Sequence, residues 1–325
     1  MLRPHLRRPA AAVATLAAVL AAGCSSAGGS STASSGPPEK ANLTVAAVPT
    51  SDSAGLYIAA ERGFFRQQGL NVKIVPAISS ESVIASQLAG QVDVTVGNYV
   101  SYIRAAALQG AKLRILAAAS VMGPSIQMIV VPAGSHITSV SQLRGKRIAV
   151  NAPDNIGTLL IDSVLNNNAI LPSASGVRPV PIPFPNMAKA LQTHKVDAAW
   201  MPEPFVTQVE ESIGAQPLAD TDQGTTQNLP IAGYVVTQAW AKKYPRTAAA
   251  FLGALEKGQQ IADTNPPAVA QSVEKYAGVP PATAQITTPP TFPLRLDPVS
   301  IQRVANLMLQ FELLPKGFNT TQMTG

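Results

Sequence analysis

The feature that most constrains this chain is a strand and helix pattern that occurs twice in the same order. The first copy opens with the strand-like run Leu43 to Val48 and breaks at Pro49 to Gly55. A helix follows from Leu56 to Phe65, with Leu56, Ala59, Ala60 and Phe64 on its apolar side. A turn at Gly69, a strand at 72–75, helix caps at Ser79 to Ser82 and a third strand at 91–97 complete it. The second copy has a strand at 146–150, a small-residue loop at 151–158 and a helix at 159–167, then a strand at 177–182, a helix around 187–191 and a strand at 195–200. Val92-Asp93-Val94 and Val196-Asp197-Ala198 hold matching places. Strands that alternate with helices build a mostly parallel sheet covered on both faces. The expectation is therefore an α/β chain of two lobes.

Between the copies, 113–119 and 127–131 read as strands that carry the chain from one lobe to the other, and a similar strand at 233–236 precedes the C-terminal helices. Pro245 suits the first position of a helix. Further helices are expected at 267–276 and 299–314, the latter turning Ile301, Val304, Ala305, Leu307 and Met308 inward. The predicted layout is a first lobe over 41–127, a second over 128–238, and a C-terminal segment over 239–325 that at least partly completes the first. Two chain crossings result, a geometry suited to hinge closure around a ligand.

The N-terminus places Arg3, Arg7 and Arg8 before an uncharged run from Ala10 to Ala22 and then Gly23-Cys24. This is the pattern of an export signal, and the run is short of the roughly 20 residues that span a bilayer as a helix. Cys24 is the chain's one cysteine, so it has no internal disulfide partner. The stretch resembles a bacterial lipoprotein signal, in which the cysteine becomes the lipidated first residue of the mature chain. Here Leu20 stands one place further from the cysteine than in the usual pattern. The resemblance predicts a signal peptide at 1–23, a flexible tether at 24–40 rich in Ser, Gly and Ala, and a lipid anchor at Cys24 on the outer face of the cytoplasmic membrane. The other reading is an ordinary secretion signal that Cys24 merely borders. Formal net charge is +6, and removing the three early arginines leaves +3. With no basic cluster and no zinc-ligand spacing, nucleic acid is not an expected partner.

In open α/β sheets the ligand lies beyond the carboxyl ends of the strands. The loops expected there are 49–55, 78–82, 97–101, 152–158, 184–187 and 200–205. Trp200, Glu203 and Phe205 form the strongest group, because two prolines stiffen a loop carrying bulky aromatics and a carboxylate. Asn98 and Tyr99 follow a strand end. Ser79, Ser80 and Asn155 either meet the ligand or only cap their helices, and Tyr57 and Tyr234 either meet it or only pack. The loops carry Asp52, Glu81, Asp154 and Glu203 but no Lys or Arg. Since a buried carboxylate needs a donor partner, they predict a small neutral or amine-bearing solute with an apolar or aromatic body. His136 and His194 are too far apart in the pattern for a metal or catalytic pair. No nucleophile elbow, dinucleotide fingerprint, phosphate loop or zinc-protease motif is present, so no catalytic residue, cofactor or metal is expected and the chain is not read as an enzyme.

Three stretches carry a family resemblance: Gly55-Leu56-Tyr57-Ile58-Ala59-Ala60-Glu61-Arg62-Gly63-Phe64-Phe65 with Gln68-Gly69-Leu70, Leu143-Arg144-Gly145-Lys146-Arg147-Ile148-Ala149-Val150, and Val196 to Phe205. The chain resembles substrate-binding proteins of ABC importers, in the group that includes nitrate, sulfonate, taurine and thiamine-precursor binders. The resemblance implies the type II periplasmic-binding-protein fold, a non-catalytic monomer whose two lobes close on a solute, and an ABC permease as partner. It also implies that Ser51, Asp52, Ser79, Ser80, Asn98, Asn155, Ile156, Gly157, Thr158 and Glu203 lie on the ligand-bearing loops. Glu203 looks like the carboxylate that thiamine-precursor binders set against an aminopyrimidine. Two alternatives remain: a sulfonate, taurine or nitrate-type anion held by helix N-termini, and an enzyme on the same fold related to pyrimidine-precursor synthesis.

Overall fold

Leu43, Val45, Ala46 and Ala47 of strand β1 (Asn42–Ala47) are buried on both of its faces, and a strand apolar on both faces belongs inside a covered sheet. It pairs in parallel with β2 (Asn71–Pro76) on one side and with β3 (Val94–Asn98) on the other. The sheet is completed by β4 (Leu113–Val121) and β10 (Pro230–Thr237), in the order β2-β1-β3-β10-β4. β10 runs antiparallel to both of its neighbours. The computed structural model describes residues 36–325. The expected signal, Cys24 and most of the expected tether lie outside the described residues.

The second sheet repeats the plan with β5 (Gln127–Val131), β6 (Arg147–Val150), β7 (Arg178–Pro181), β8 (Ala198–Pro202) and β9 (Gln216–Asp220), in the order β7-β6-β8-β5-β9. β6, β7 and β8 are parallel, and β5 lies antiparallel between β8 and β9. The edge strand β7 carries Pro179 and Pro181, which lack the N–H that an added strand would need. In each sheet the antiparallel fourth strand arrives from the other lobe. The two crossings, at 122–126 and 221–229, run side by side, with the Met122 N–H donating to the Leu229 carbonyl at 2.8 Å.

One expected boundary is corrected. The second lobe was expected to run to residue 238, but β10 pairs with β3 and β4 and belongs to the first sheet. An apolar strand must enter some sheet, and its own composition does not say which.

The matching Val-Asp pairs precede their strands rather than lying inside them, so β3 and β8 begin later than the expected 91 and 195. Asp93 accepts from the Thr44 N–H of β1 at 3.0 Å and from the Trp240 indole at 3.0 Å. Asp197 accepts from the Arg147 N–H of β6 at 2.8 Å and from its guanidinium at 2.9 Å, and the guanidinium holds the Asp197 carboxyl below the usual range. Each aspartate thus ties a strand to the neighbouring strand of its sheet.

Most of the C-terminal helices pack on the first lobe, while helix Pro281–Ile286 also meets helix Phe205–Ile213 of the second through Thr283 and Glu211. Helix Pro245–Thr264 crosses helix Ala54–Glu61 so closely that a Cβ on Gly258 would stand 2.2 Å from the Gly55 carbonyl oxygen. Helix Pro298–Gln310 buries Ile301, Val304, Ala305, Leu307 and Met308, and it packs against helix Tyr99–Gln109 and β10.

Candidate functional site

The carboxyl ends of β1, β3, β6 and β8 meet the amino ends of β5 and β10 where the lobes face each other. There they enclose a cavity of about 40 Å³. Val48, Thr50, Asp52, Ser80, Gly97 and Asn98 line it from the first lobe, and Gln127, Asn151, Ile156, Phe184, Trp200 and Pro202 from the second. One water needs only about 10–15 Å³ of such space, so the cavity takes a compact group, and a larger solute requires the lobes to part.

The lobes touch around this space. The Ser51 N–H donates to the Glu203 carbonyl at 3.0 Å. Arg104, on the first-lobe helix Tyr99–Gln109, pairs with Asp154 of the second lobe at 3.1 Å and donates to the Leu313 carbonyl at 2.9 Å.

Local sequence explains how the wall is placed. Asn98 ends β3 and caps the next helix, accepting from the Ser101 N–H at 2.9 Å, while its own N–H and amide donate to Ser80 Oγ at 2.9 Å. A Cβ on Gly97 would stand 2.7 Å from Ser80 Oγ, so glycine lets the serine sit against the strand end. On the opposite wall a Cβ on Gly157 would stand 2.5 Å from the Trp200 ring. The indole therefore rests against bare backbone, with Phe184 tilted beside it at 5.9 Å between ring centres.

Among the described residues, no Lys, Arg or His lines the cavity, and Asp52 is its one ionisable group. That carboxyl accepts from Ser120 Oγ at 2.6 Å and Thr50 Oγ1 at 2.8 Å. Burial pushes its pKa above the ordinary 3.8, against the pull of these hydroxyls. Two other lining groups are left without a partner: Trp200 Nε1 and Gln127 Oε1, each in a side chain of a residue only 2% exposed.

Of the residues singled out from sequence, Asp52, Ser80, Asn98, Ile156 and Trp200 lie on the cavity wall. Ser51, Tyr99 and Thr158 are buried close by with unpartnered hydroxyls but do not line it. Ser79 and Asn155 are occupied as helix caps, accepting from the Ser82 and Gly157 N–H groups. Gly157 seats Trp200, and Phe205 stacks on Phe184 at 5.1 Å. Tyr57 stacks on Tyr276 at 3.9 Å, and Tyr234 is buried with its hydroxyl donating to Gln259 at 3.4 Å, so both are packing residues.

Of the strongest sequence group, Trp200 lines the cavity and Glu203 does not. Glu203 lies beside Asp52 and Pro202 next to the cavity and binds the first turn of helix Phe205–Ile213, accepting from the Thr207 N–H at 3.2 Å and hydroxyl at 2.7 Å. Burial pushes its pKa up to about 7. With Asp154 paired to Arg104 and Glu81 accepting from Ser101 Oγ at 2.5 Å, the expected acidic cleft reduces to one carboxyl.

Gln127, Ile231 and Ala232 were missed. They begin strands that run antiparallel to their neighbours, so their amino ends lie beside the carboxyl ends of β8 and β3. A strand that starts just after a lobe crossing was the signal available.

Comparison with known proteins agrees with this geometry. The family model described as NMT1/THI5 like matches residues 50–269. The putative binding protein YtlA of Bacillus subtilis is 24% identical over 242 residues, covering 69% of this chain and 71% of that protein. The alkanesulfonate-binding protein SsuA from Xanthomonas axonopodis pv. citri, solved with MOPS, superposes with a TM-score of 0.74 at 19% identity, over 88% of this chain and 98% of that one. The periplasmic nitrate-binding protein NrtA from Synechocystis PCC 6803 also gives 0.74, at 16% identity over 88% and 85%. The fold is that of the two-lobed periplasmic binding proteins, and the chain belongs to the NMT1/THI5-like family.

Proposed function

We propose that this protein is the extracytoplasmic solute-binding component of an ABC importer, closing its lobes on a small organic solute and delivering it to a permease. The observation that carries the reading is the cavity at the lobe junction, walled by both lobes and holding buried polar atoms without partners. Buried polar groups are normally paired, so unpaired ones around a cavity point to a ligand that completes them. Family membership and the likeness to a sulfonate binder and a nitrate binder support the same role. The lipoprotein-like segment ending at Cys24 supports an anchor outside the membrane.

For the solute, the wall favours a neutral or amine-bearing molecule over an anion. Helix N-termini attract anions through free N–H groups. At the helices beginning at Ser80, Tyr99, Ile156 and Phe205, a side chain of the protein already accepts from a first-turn N–H, while those beginning at Ala54 and Phe184 have no side-chain cap. With no cation among the described wall residues, a nitrate or sulfonate would lack a counter-charge there.

A thermal-shift panel of amines, neutral amides, sulfonates and nitrate tests the role, since a ligand bound only by the folded state raises Tm by mass action. At least one solute is expected to raise Tm in proportion to the logarithm of its concentration. Turnover of a bound solute to product would overturn the transport reading. For the anchor, labelling cells with a radioactive fatty acid should mark the protein, and Cys24→Ser should abolish the label.

A further inference from the structure

We propose that the cavity selects an uncharged solute with an amide-like edge, a carbonyl oxygen beside an N–H, and that Trp200 and Gln127 read that edge as a pair. This rests on the solute-binding reading above. β5 and β8 are antiparallel, with Gln127 opposite Pro202 and Ile129 opposite Trp200. Gln127 and Trp200 are therefore diagonal neighbours on one face of the sheet, the spacing at which long side chains act together. Both line the cavity, and both are nine-tenths or more buried. The indole offers a donor that no protein group accepts, and the Gln127 carbonyl offers an acceptor that no protein group satisfies.

A donor and an acceptor side by side match an acceptor and a donor side by side. A lactam, a pyridone or a primary amide presents that edge, its carbonyl receiving the Trp200 N–H and its own N–H donating to Gln127 Oε1. Turned over, the Gln127 amide would put a second donor beside the indole, and the pair would suit an anion. The facing wall opposes that alternative. It holds the Asp52 carboxyl, whose two oxygens already accept from Ser120 and Thr50, and it carries no cation. Ile156 and Phe184 flank the pair with apolar surface, which suits a flat or apolar body behind the polar edge.

Trp200 is also held in place. Gly157 presses on its ring so closely that any side chain there would displace it, which fixes the direction of the N–H without a hydrogen bond. A purely structural tryptophan would have its N–H paired or exposed to solvent. This one is buried, fixed and unpaired.

Calorimetric titration of the purified protein with 2-pyridone, N-methyl-2-pyridone, methanesulfonate, nitrate and benzylamine tests the proposal. 2-Pyridone should bind, and its N-methyl analogue, which lacks the donor, should bind at least about tenfold more weakly. Trp200→Phe and Gln127→Leu should each weaken 2-pyridone by about tenfold, and Gln127→Leu, which nearly keeps the side-chain volume, should leave the Tm of the free protein unchanged or raised because it removes an unpaired buried polar atom. Binding of methanesulfonate or nitrate in place of 2-pyridone would overturn the neutral edge and leave the solute-binding role standing. Equal affinity for the two pyridones, or unchanged affinity in both variants, would overturn the pairing. Failure of every class to bind, here and in the thermal panel, would count against the solute-binding role itself.

Discussion

Glu203 is the residue whose chemistry differs most from its sequence reading. A carboxylate between prolines in a loop looks like a ligand group, yet its bonds go to protein groups, to Thr207 four positions on and to the Thr288 backbone. It has a measurable consequence of another kind. Its folded pKa is about 7 against an ordinary 4.5, so between these values the folded protein holds a proton that the unfolded chain has released. Stability from this group therefore falls as pH rises from about 4.5 through 7, by on the order of 3 kcal/mol. Chemical denaturation of wild type and Glu203→Gln at both ends of that window should show the loss in wild type and less of it in the variant. Asp52 and Asp162, also raised by burial, act with the same sign in both proteins, so the difference isolates Glu203. Gly157 is the second test at this scale. Gly157→Ala puts a methyl group against the Trp200 ring and should cost about 1–3 kcal/mol of stability, read by denaturant midpoint, and weaken solute binding as the indole shifts.

At the scale of elements, the strands other than β9 and most of the longer helices were legible from their apolar spacing, whereas β9 (Gln216–Asp220), with its exposed and irregular pattern, was not expected. The Pro245 helix and the inward face of helix Pro298–Gln310 follow from proline placement and apolar spacing. Destination was not legible. β10 reads as a buried strand from Gly233-Tyr234-Val235-Val236, but only its pairing with β3 and β4 assigns it to the first sheet. The same limit hid part of the cavity wall, since Gln127, Ile231 and Ala232 reach it only because their strands run against their neighbours. Contacts between lobes were equally invisible, and one of them is testable. The Arg104 and Asp154 pair joins helix Tyr99–Gln109 to the loop before helix Ile156–Asn167, with Arg104 about one quarter and Asp154 about half exposed. An exposed pair contributes about 0.2–1 kcal/mol. Arg104→Gln should therefore weaken solute binding by no more than about fivefold, and raising the salt should narrow the gap between wild type and variant. A larger loss that persists in high salt would mean that Arg104 acts on the solute rather than on closure.

For the whole molecule, the doubled pattern was enough to predict two lobes and two crossings. Physically, each lobe is a five-stranded sheet whose fourth strand is supplied from the other lobe, and the two crossing segments, at 122–126 and 221–229, lie beside each other, where the proposed closure is predicted to turn. The cavity wall is split between the lobes, with Asp52, Ser80 and Asn98 on one and Gln127, Phe184 and Trp200 on the other. A solute that contacts both walls must favour the closed arrangement by its differential affinity for it. Small-angle X-ray scattering of the purified protein, titrated with the solute that gives the largest thermal shift, measures this directly. The radius of gyration should fall in step with occupancy and level off at saturation. A radius that stays constant while calorimetry shows the site filling would contradict a clamp that closes on its solute.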